Sequence, residues 1–302
     1  DDPSKGYDPD RYLMMFKPDG SQEINAAVAI GNPDEADHVA VTTPGMNTHA
    51  TSLPDMAAEA VNLRAETQHQ LDLNGKEGEK VSAIAWFGYD PPDVDPETIW
   101  GALGEARARA GGADLASFYE GINATNVHGS DVHLTALGHS YGSTTTAQAL
   151  NLLGHNGVVD DVVFYGSPGL GNSNNDFTVG PHGVHVPLPI TNESQLHVPD
   201  GHAFVMSAAN DPVSEGVKKW GIPWPALADL GGHGPNPTTL PFERLGTDAS
   251  QPGGPGTQSY GGASGHSEYP RMGDNGVLRT PGYNMAIVAS GLAHEKPELL
   301  VR

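Results

Sequence analysis

The sequence predicts an α/β fold in which a mostly parallel, doubly wound sheet carries helices on both faces and long loops over a site. Two observations lead to this prediction. Short apolar runs bounded by turn residues alternate with segments of helical periodicity. The middle runs are apolar throughout, which is typical of parallel strands covered on both faces.

Eight runs are predicted as strands. They are rich in valine, isoleucine and aromatic residues, and at about four to eight residues each they are too short for helices. In chain order they cover residues 12–16, 24–30, 38–43, 81–87, 132–137, 161–166, 202–208 and, with the weakest pattern, 240–246.

Helical signals lie between these strands and would supply the crossovers of a parallel sheet. The first predicted helix begins with Ser52 as its N-cap. The second contains Gly111 and Gly112, so it reads as one helix broken there or as two helices. The helical segments are residues 52–71, 96–122, the stretch after Gly142, and 282–293.

Three long stretches fall outside the alternation, at residues 167–201, 213–239 and 247–281. Loops of this length in a compact domain usually serve a function, so we expect them to form the walls of a site, with 167–201 and 213–239 as lid or cap loops. Residues 1–302 are predicted to form one domain, since α/β folds of this size are commonly single units.

The composition excludes several classes of partner and chemistry. With 15 Lys and Arg against 37 Asp and Glu, the net charge of −22 opposes approach to phosphates, so no nucleic-acid partner is predicted. The absence of cysteine excludes disulfides and thiolate nucleophiles. No apolar run reaches the roughly 20 residues of a membrane span. Because the chain starts at Asp1, we expect a processed or trimmed form, and the oligomeric state is left open.

The strongest chemical signal is the stretch GHSYG, which lies between an apolar strand and a helix start. A nucleophilic serine on a strand-to-helix turn needs small neighbours, and Gly138 and Gly142 stand two residues on either side of Ser140. The helix N-terminus would then direct N–H groups at developing negative charge. The alternative is a serine in an ordinary tight turn, which the position between strand and helix disfavours. Ser140 is therefore the predicted nucleophile.

A serine nucleophile needs a base, and the base needs an acid that fixes its tautomer, in the chain order serine, acid, histidine. Asp211 directly follows the strand at 202–208 and stands at its C-terminal end, where such sites assemble. Asp229 and Asp248 lack a comparable strand before them. The alternative role for Asp211 is an Asx turn before Pro212.

Three histidines follow Asp211, and they differ in their position relative to the last strand and helix. His233 precedes the weak last strand, which is the wrong side for a base. His294 is expected to cap the C-terminus of the last helix. His266 follows the last strand and precedes the last helix, so it is the predicted base.

An oxyanion hole requires two backbone donors. The amide of Tyr141, directly after the nucleophile, is the first. The second is expected from the loop after residues 38–43, where Pro44 and Gly45 turn the chain and leave the amide of Met46, or less favourably Asn47, pointing inward.

Four residues are assigned to substrate binding: Asn47, His139, Trp220 and Trp224. The two tryptophans stand on a predicted loop and could contact an apolar substrate, although at least one of them could equally be buried in the fold, since aromatic side chains mostly are. No cofactor is predicted, because a phosphate-binding GxxxxGK loop is missing from the sequence.

No catalytic metal is predicted either. The acidic stretch at 89–97 lacks the glycine and the spacing of an EF-hand loop. The histidines at 182, 185 and 197 are scattered among prolines and glycines and form no helical pair.

The motifs PGMNT, GHSYGS, YGSPG, AANDPVS and GHSEYP occur in this order. With them the chain resembles, over roughly residues 12–292, an actinobacterial α/β-hydrolase family long known as a domain of unknown function and related to lipases and cutinase-like serine esterases. The resemblance implies an α/β-hydrolase fold and a secreted or cell-envelope location. It also implies Ser140 as nucleophile, His266 as base, Asp211 as acid, and the Met46 and Tyr141 amides as oxyanion donors.

The predicted function is therefore a serine hydrolase that cleaves carboxylic esters through an acyl-enzyme. The substrate would be a small-molecule or lipid ester of short to medium chain length, because the net charge of −22 opposes binding to anionic bilayers. Two alternatives stay open: an amidase or peptidase with the same residues, and a non-catalytic interaction module on the same fold.

Overall fold

A central sheet of eight strands organises the computed structural model, which describes residues 10–18, 24–92, 105–179, 184–214 and 233–302. A separate two-stranded sheet lies outside it. The strands are β1 (Arg11–Pro18), β2 (Ile24–Ile30), β3 (His38–Thr43), β4 (Val81–Phe87), β5 (His133–His139), β6 (Asp161–Tyr165), β7 (Asn172–Val179), β8 (Val184–Pro189), β9 (Ala203–Met206) and β10 (Glu243–Arg244).

The strand order of the central sheet is β1-β2-β4-β3-β5-β6-β9-β10. Only the pairs β1–β2 and β2–β4 are antiparallel, so β2 alone runs against the other strands. The predicted mostly parallel sheet is confirmed, and the expected bounds of β2, β3 and β4 agree with the structure. The predicted strands at 202–208 and 240–246 are shorter than expected.

Five α-helices are described: α1 (Leu53–Leu73), α2 (Ala106–Thr125), α3 (Tyr141–Leu153), α4 (Thr280–Ala289) and α5 (Leu292–Glu295). Alternate side chains of each strand enter two different cores. In β3, Val39 and Val41 pack with α2 and α3, whereas Ala40 packs with α1 and α4 on the opposite face. The sheet is therefore doubly wound, as predicted. None of the helices in the described ranges is long and apolar enough to cross a membrane.

Helix α2 continues through Gly111 and Gly112, so the predicted break is wrong; the expected residues 96–104 lie outside the described ranges. Both glycines permit close packing. A Cβ on Gly111 would lie 2.6 Å from Cβ of Tyr89, and a Cβ on Gly112 would lie 2.8 Å from Cβ of Gln148 in α3. The pair thus marks a close helix contact and does not end the helix.

The stretch 167–201 was expected to lack regular structure, and this expectation is wrong because it contains the antiparallel pair β7–β8. Strand β7, with the sequence NSNNDFTV, is mostly polar and poor in the residues that favour strands, so no apolar run marks it. Two smaller expectations are met only in part. Ser52 is the N-cap residue of α1, as predicted, but its side chain makes no capping hydrogen bond. The last predicted helix ends at Ala289, where Gly291 with φ 70° separates it from α5.

The close contact between α2 and α3 can be tested with matched alanine substitutions in one helix. Gly112→Ala should lower the free energy of unfolding by about 1–3 kcal/mol, because the added methyl group overpacks the contact with α3. Gly121→Ala is the control, since a Cβ there meets nothing within 4 Å. It should raise the free energy of unfolding by roughly 0.5–1 kcal/mol through helix propensity. Equal changes in urea denaturation would contradict the packing role of Gly112.

Candidate active site

Ser140 occupies the turn between β5 and α3 in a backbone conformation that a residue with a Cβ rarely adopts, with φ 54° and ψ −127°. Its N–H donates to the carbonyl of Tyr165 at 2.9 Å. A Cβ on Gly138 would lie 2.8 Å from Cα of Ser143, and a Cβ on Gly142 would meet the carbonyl oxygens that precede Gly45. The turn therefore needs glycine at both positions, as the sequence pattern predicts.

Three predicted site residues lie in one hydrogen-bonded line, although they come from distant parts of the chain. The hydroxyl of Ser140 is 2.7 Å from Nε2 of His266. Nδ1 of the same ring is 2.9 Å from Oδ1 of Asp211. With the Nδ1–H donated to the carboxylate, Nε2 is free of hydrogen and accepts from the serine hydroxyl.

Two loops meet to bring His266 and Asp211 together. Asp211 lies on the loop after β9, and His266 lies between β10 and α4. Ala209, on the first loop, accepts a hydrogen bond from the Gly265 N–H at 2.7 Å, and it also forms an isolated parallel bridge with Ser264. This backbone contact holds the two loops in register next to the acid and the imidazole.

Asp211 is fully buried and its charge is satisfied on both oxygens. Oδ2 accepts from the Tyr269 hydroxyl at 2.6 Å, and Oδ1 accepts from the Val213 N–H at 2.8 Å as well as from His266. Burial alone would raise the pKa of Asp211, but these donors hold the charged form and lower the pKa below its ordinary value. The bond to Val213 is an Asx-turn contact, so the alternative role is present together with the contact to His266.

His139, predicted to bind substrate, contacts the His266 loop. Its Nε2–H donates to the His266 carbonyl at 2.8 Å, and its ring lies between the rings of Tyr165 and His266, with centroid distances of 5.0 and 4.8 Å. Burial and the neighbouring imidazole lower the pKa of His139 to about 3, so it is neutral near pH 7. Its edge still faces the cavity described below.

The loop after β3 packs directly on the Ser140 turn. A Cβ on Gly45 would lie 2.6 Å from Cβ of Ser140, and the Pro44 carbonyl accepts from the Tyr89 hydroxyl at 2.6 Å. The two expected amide positions differ here. Met46 and Asn47 both line the cavity in front of Ser140, where Asn47 was expected to contact substrate, but the Asn47 N–H already donates to the Pro92 carbonyl at 3.3 Å.

Tyr141 is the first residue of α3, so its amide lies at the N-terminus of that helix, next to Ser140. Its side chain points into the core. The hydroxyl accepts from the Ala108 N–H at 3.1 Å, and the ring stacks on Tyr89 at a centroid distance of 6.4 Å. The side chain thereby anchors the start of α3 against α2.

A cavity of about 400 Å³ opens in front of Ser140 and is called the Ser140 cavity below. Part of its lining is charged: it contains Asp55 and Glu59 from α1, and Arg271, whose Nε lies 3.3 Å from the Glu59 carboxylate. Burial raises the pKa of Glu59; Arg271 opposes this effect and Asp55 adds to it. Sequence reasoning missed these three residues because they belong to no local motif.

Within the described residues, the lining of the Ser140 cavity comes from segments other than the two predicted lid loops. None of the described residues in 167–201 or 213–239 lines it, whereas the stretch 247–281 supplies His266 and its neighbours. Trp220 and Trp224 lie outside the described residues, as does most of the second predicted lid.

The other two histidines that follow Asp211 have partners outside the Ser140 cavity. The ring of His233 is buried and packs edge-on against Tyr141 at 5.4 Å. His294 bonds to the side chain of Asp161 at 2.7 Å and does not cap the last helix. Tyr269 was also missed as a site residue, although it stands in the quoted motif GHSEYP, three positions after His266.

Comparison with known proteins gives relatives at the level of sequence. An uncharacterized protein of Mycobacterium tuberculosis (strain H37Rv) is 36% identical over 223 residues, which cover 73% of this chain and 74% of that protein. A second uncharacterized protein of the same organism is 34% identical over 208 residues, which cover 67% of this chain and 27% of the other.

Among solved structures, a putative dienelactone hydrolase from Klebsiella pneumoniae is 14% identical, with a TM-score of 0.44 over 93% of this chain and 99% of that one. That similarity is too distant to transfer a substrate. The family model described as alpha/beta hydrolase matches residues 19–219. Because this match spans more than half of the sequence, the chain belongs to the alpha/beta hydrolase family.

Proposed function

We propose that the protein is a serine hydrolase that cleaves carboxylic esters. The observation that carries the proposal is the hydrogen-bonded line from Ser140 through His266 to the buried, charged Asp211. A strained serine at the start of a helix, an imidazole held in one tautomer and a stabilised carboxylate are the parts that acyl transfer requires.

In the proposed reaction, Oγ of Ser140 bonds to the ester carbonyl carbon while its proton passes to Nε2 of His266. Asp211 stays ionised and stabilises the imidazolium that forms. The carbonyl oxygen becomes an oxyanion, which the amides of Met46 and Tyr141 would bind. The ester C–O bond then breaks, and the alcohol leaves with the proton from His266. Water, activated by the same imidazole, hydrolyses the acyl-enzyme and releases the acid.

The Ser140 cavity favours small polar esters over long acyl chains. It holds about 400 Å³ and carries three charged side chains, whereas pockets for apolar ligands are lined mainly by hydrophobic and aromatic groups. Turnover of p-nitrophenyl esters from acetate to palmitate, with p-nitroanilides of the same acids, measures chain-length preference and separates esterase from amidase activity.

A secreted or envelope location stays a prediction.

Covalent labelling tests the nucleophile directly. A fluorophosphonate should add one adduct to the protein by intact mass, and Ser140→Ala should abolish this adduct because no activated hydroxyl remains. Ser117→Ala, a change on the exposed face of α2, is the matched control and should label normally. If Ser140→Ala still takes up one adduct, the nucleophile is another residue. If the parent protein takes up no adduct, a non-catalytic module is favoured.

The base is tested by comparing two histidines that follow Asp211 in the chain. His266→Ala should lower kcat for p-nitrophenyl acetate by at least about 10³-fold, as loss of a base from a serine hydrolase generally does. His233→Gln should change kcat little, because burial lowers the pKa of His233 to about 4 and its ring packs on Tyr141, away from the serine hydroxyl. The reverse order of effects would contradict the assignment of His266.

The charge on Asp211 makes a prediction about stability. Tyr269→Phe removes one donor, so at neutral pH it should lower the free energy of unfolding by about 1.5–3 kcal/mol, the range for hydrogen bonds to charged groups. Because the folded-state pKa of Asp211 is depressed, its stabilisation is present above the unfolded pKa and disappears as the pH falls through the folded pKa. The deficit of Tyr269→Phe should therefore shrink in acid.

Tyr283→Phe is the control for this experiment, since that hydroxyl donates to the uncharged Leu299 carbonyl at 3.0 Å. Its deficit should be about 0.5–1.5 kcal/mol and should not depend on pH in the acid range. Urea denaturation at neutral and acidic pH measures both variants. A Tyr269→Phe deficit that is constant with pH would show that the hydroxyl does not stabilise a carboxylate charge.

A further inference from the structure

A second cluster of ionisable side chains lies at the opposite edge of the sheet from Ser140. His133 is the first residue of β5 and Asp161 is the first residue of β6, whereas Ser140 follows the last residue of β5. His202 directly precedes β9, and His294 belongs to α5. Because parallel strands begin at one edge and end at the other, the proposed hydrolytic reaction has no use for these residues.

Two imidazoles converge on one oxygen of Asp161. Nε2 of His294 lies 2.7 Å from Oδ1, and Nδ1 of His202 lies 2.9 Å from the same oxygen. Oδ2 has no hydrogen-bond donor, although the Asp161 side chain is fully buried. Nε2 of His133 lies 3.2 Å from Oδ2 and directs its N–H to the Val288 carbonyl at 3.1 Å. Nδ1 of His202 is likewise shared between Asp161 and the Asp160 carbonyl, which lies 3.1 Å away.

A buried carboxylate with an unsatisfied oxygen needs positive charge nearby. Burial by itself would raise the pKa of Asp161, yet the three surrounding histidines lower it far below the ordinary value, so the group is an anion at neutral pH. The two convergent imidazoles are partly open to solvent, with 24% of the His202 side chain and 33% of the His294 side chain exposed. A small cation can reach the cluster from this side.

We propose that Asp161, His202 and His294 bind a divalent transition-metal ion of the zinc class. Their three donor atoms lie within 4.8 Å of one another, and no other group of three such donors occurs in the described part of the chain. Two imidazole nitrogens with one carboxylate oxygen is a ligand set found with Zn²⁺ and with Fe²⁺, whereas Ca²⁺ and Mg²⁺ prefer oxygen alone. Water would complete the coordination on the exposed side.

Binding of an ion must change the present arrangement of the two imidazole rings. The rings of His202 and His294 are stacked, with centroids 3.6 Å apart and planes 18° from parallel. An ion bonded at about 2.0–2.1 Å to each nitrogen lies close to both ring planes, so the rings must rotate apart. The proton on each bonding nitrogen passes to water or, through water, to the other nitrogen of the same ring. Their partial exposure leaves room for this rotation. The bound ion would tie α5 to the start of β6.

Titration of the metal-free full chain with Zn²⁺ by calorimetry, and with Co²⁺ by visible absorption, tests the site. We expect one equivalent to bind, the d–d absorption of a low-coordinate Co²⁺ ion to appear, and the melting temperature to rise with Zn²⁺ until the site is saturated. His202→Gln and His294→Gln should each weaken Zn²⁺ binding at least about tenfold. Loss of a residue that only hydrogen-bonds to a metal ligand already weakens metal binding by about this factor.

The control is His155→Gln, an exposed histidine outside the cluster, which should bind as the parent does. Fluorophosphonate labelling of Ser140 should be unchanged in every variant, which separates this proposal from the proposed hydrolysis. Absence of stoichiometric Zn²⁺ binding by the parent chain would overturn the site. Equal affinity in the parent and in both glutamine variants would also overturn it, since the ion would then be held elsewhere.

Discussion

The organisation of the site depends on the close approach of three backbone segments at Ser140. The serine holds a positive φ because Gly138 and Gly142 let α3 and the loop after β3 pack where a Cβ would collide. Gly45 brings that same loop against the serine Cβ. The strain of this conformation, of order 1–3 kcal/mol, is held by the surrounding structure, including the bond from the Ser140 N–H to the Tyr165 carbonyl. The position of the Ser140 Cβ thus follows from backbone packing, and the hydroxyl bonds to His266 from there.

The buried charge of Asp211 imposes a second constraint, on the loops at the C-terminal edge of the sheet. A carboxylate removed from water must be satisfied by donors, and here these come from its own loop, from His266 and from Tyr269. Tyr269 also accepts from the Ala208 N–H at 2.8 Å. One hydroxyl therefore joins the end of β9 to the acid, and the loop that carries the imidazole is fixed to the same strand end.

Much of this arrangement could be predicted from the sequence, because its main signals are local. Strands that are buried on both faces appear in the sequence as continuous apolar runs. A serine with a glycine two residues away on each side, at a strand-to-helix boundary, indicates a strained turn. The order of acid and histidine along the chain then selected Asp211 and His266, which the structure brings together with Ser140.

The remaining features depend on contacts between segments that are distant in sequence. Glu59 and Arg271 meet in the Ser140 cavity only because α1 packs beside the loop before α4, and neither residue has a distinctive neighbourhood. A local pattern predicts a helix break at Gly111 and Gly112, because it contains no information about their packing partners. These partners lie on the segment after β4 and on α3. Strand β7 has no apolar run, because its sequence NSNNDFTV is mostly polar, and its partner β8 lies outside the central sheet.

The wide spacing of the site residues along the chain has a consequence for folding. Ser140 and His266 are 126 positions apart, and Asp211 precedes His266 by 55 positions. To form contacts of such long range, the chain must lose loop-closure entropy before it gains the energy of the contact. This slows folding in chains dominated by such contacts. The line of hydrogen bonds can close only when β5, β6, β9 and the loop before α4 already lie side by side. We therefore expect this geometry to form late in folding, after these three strands have paired.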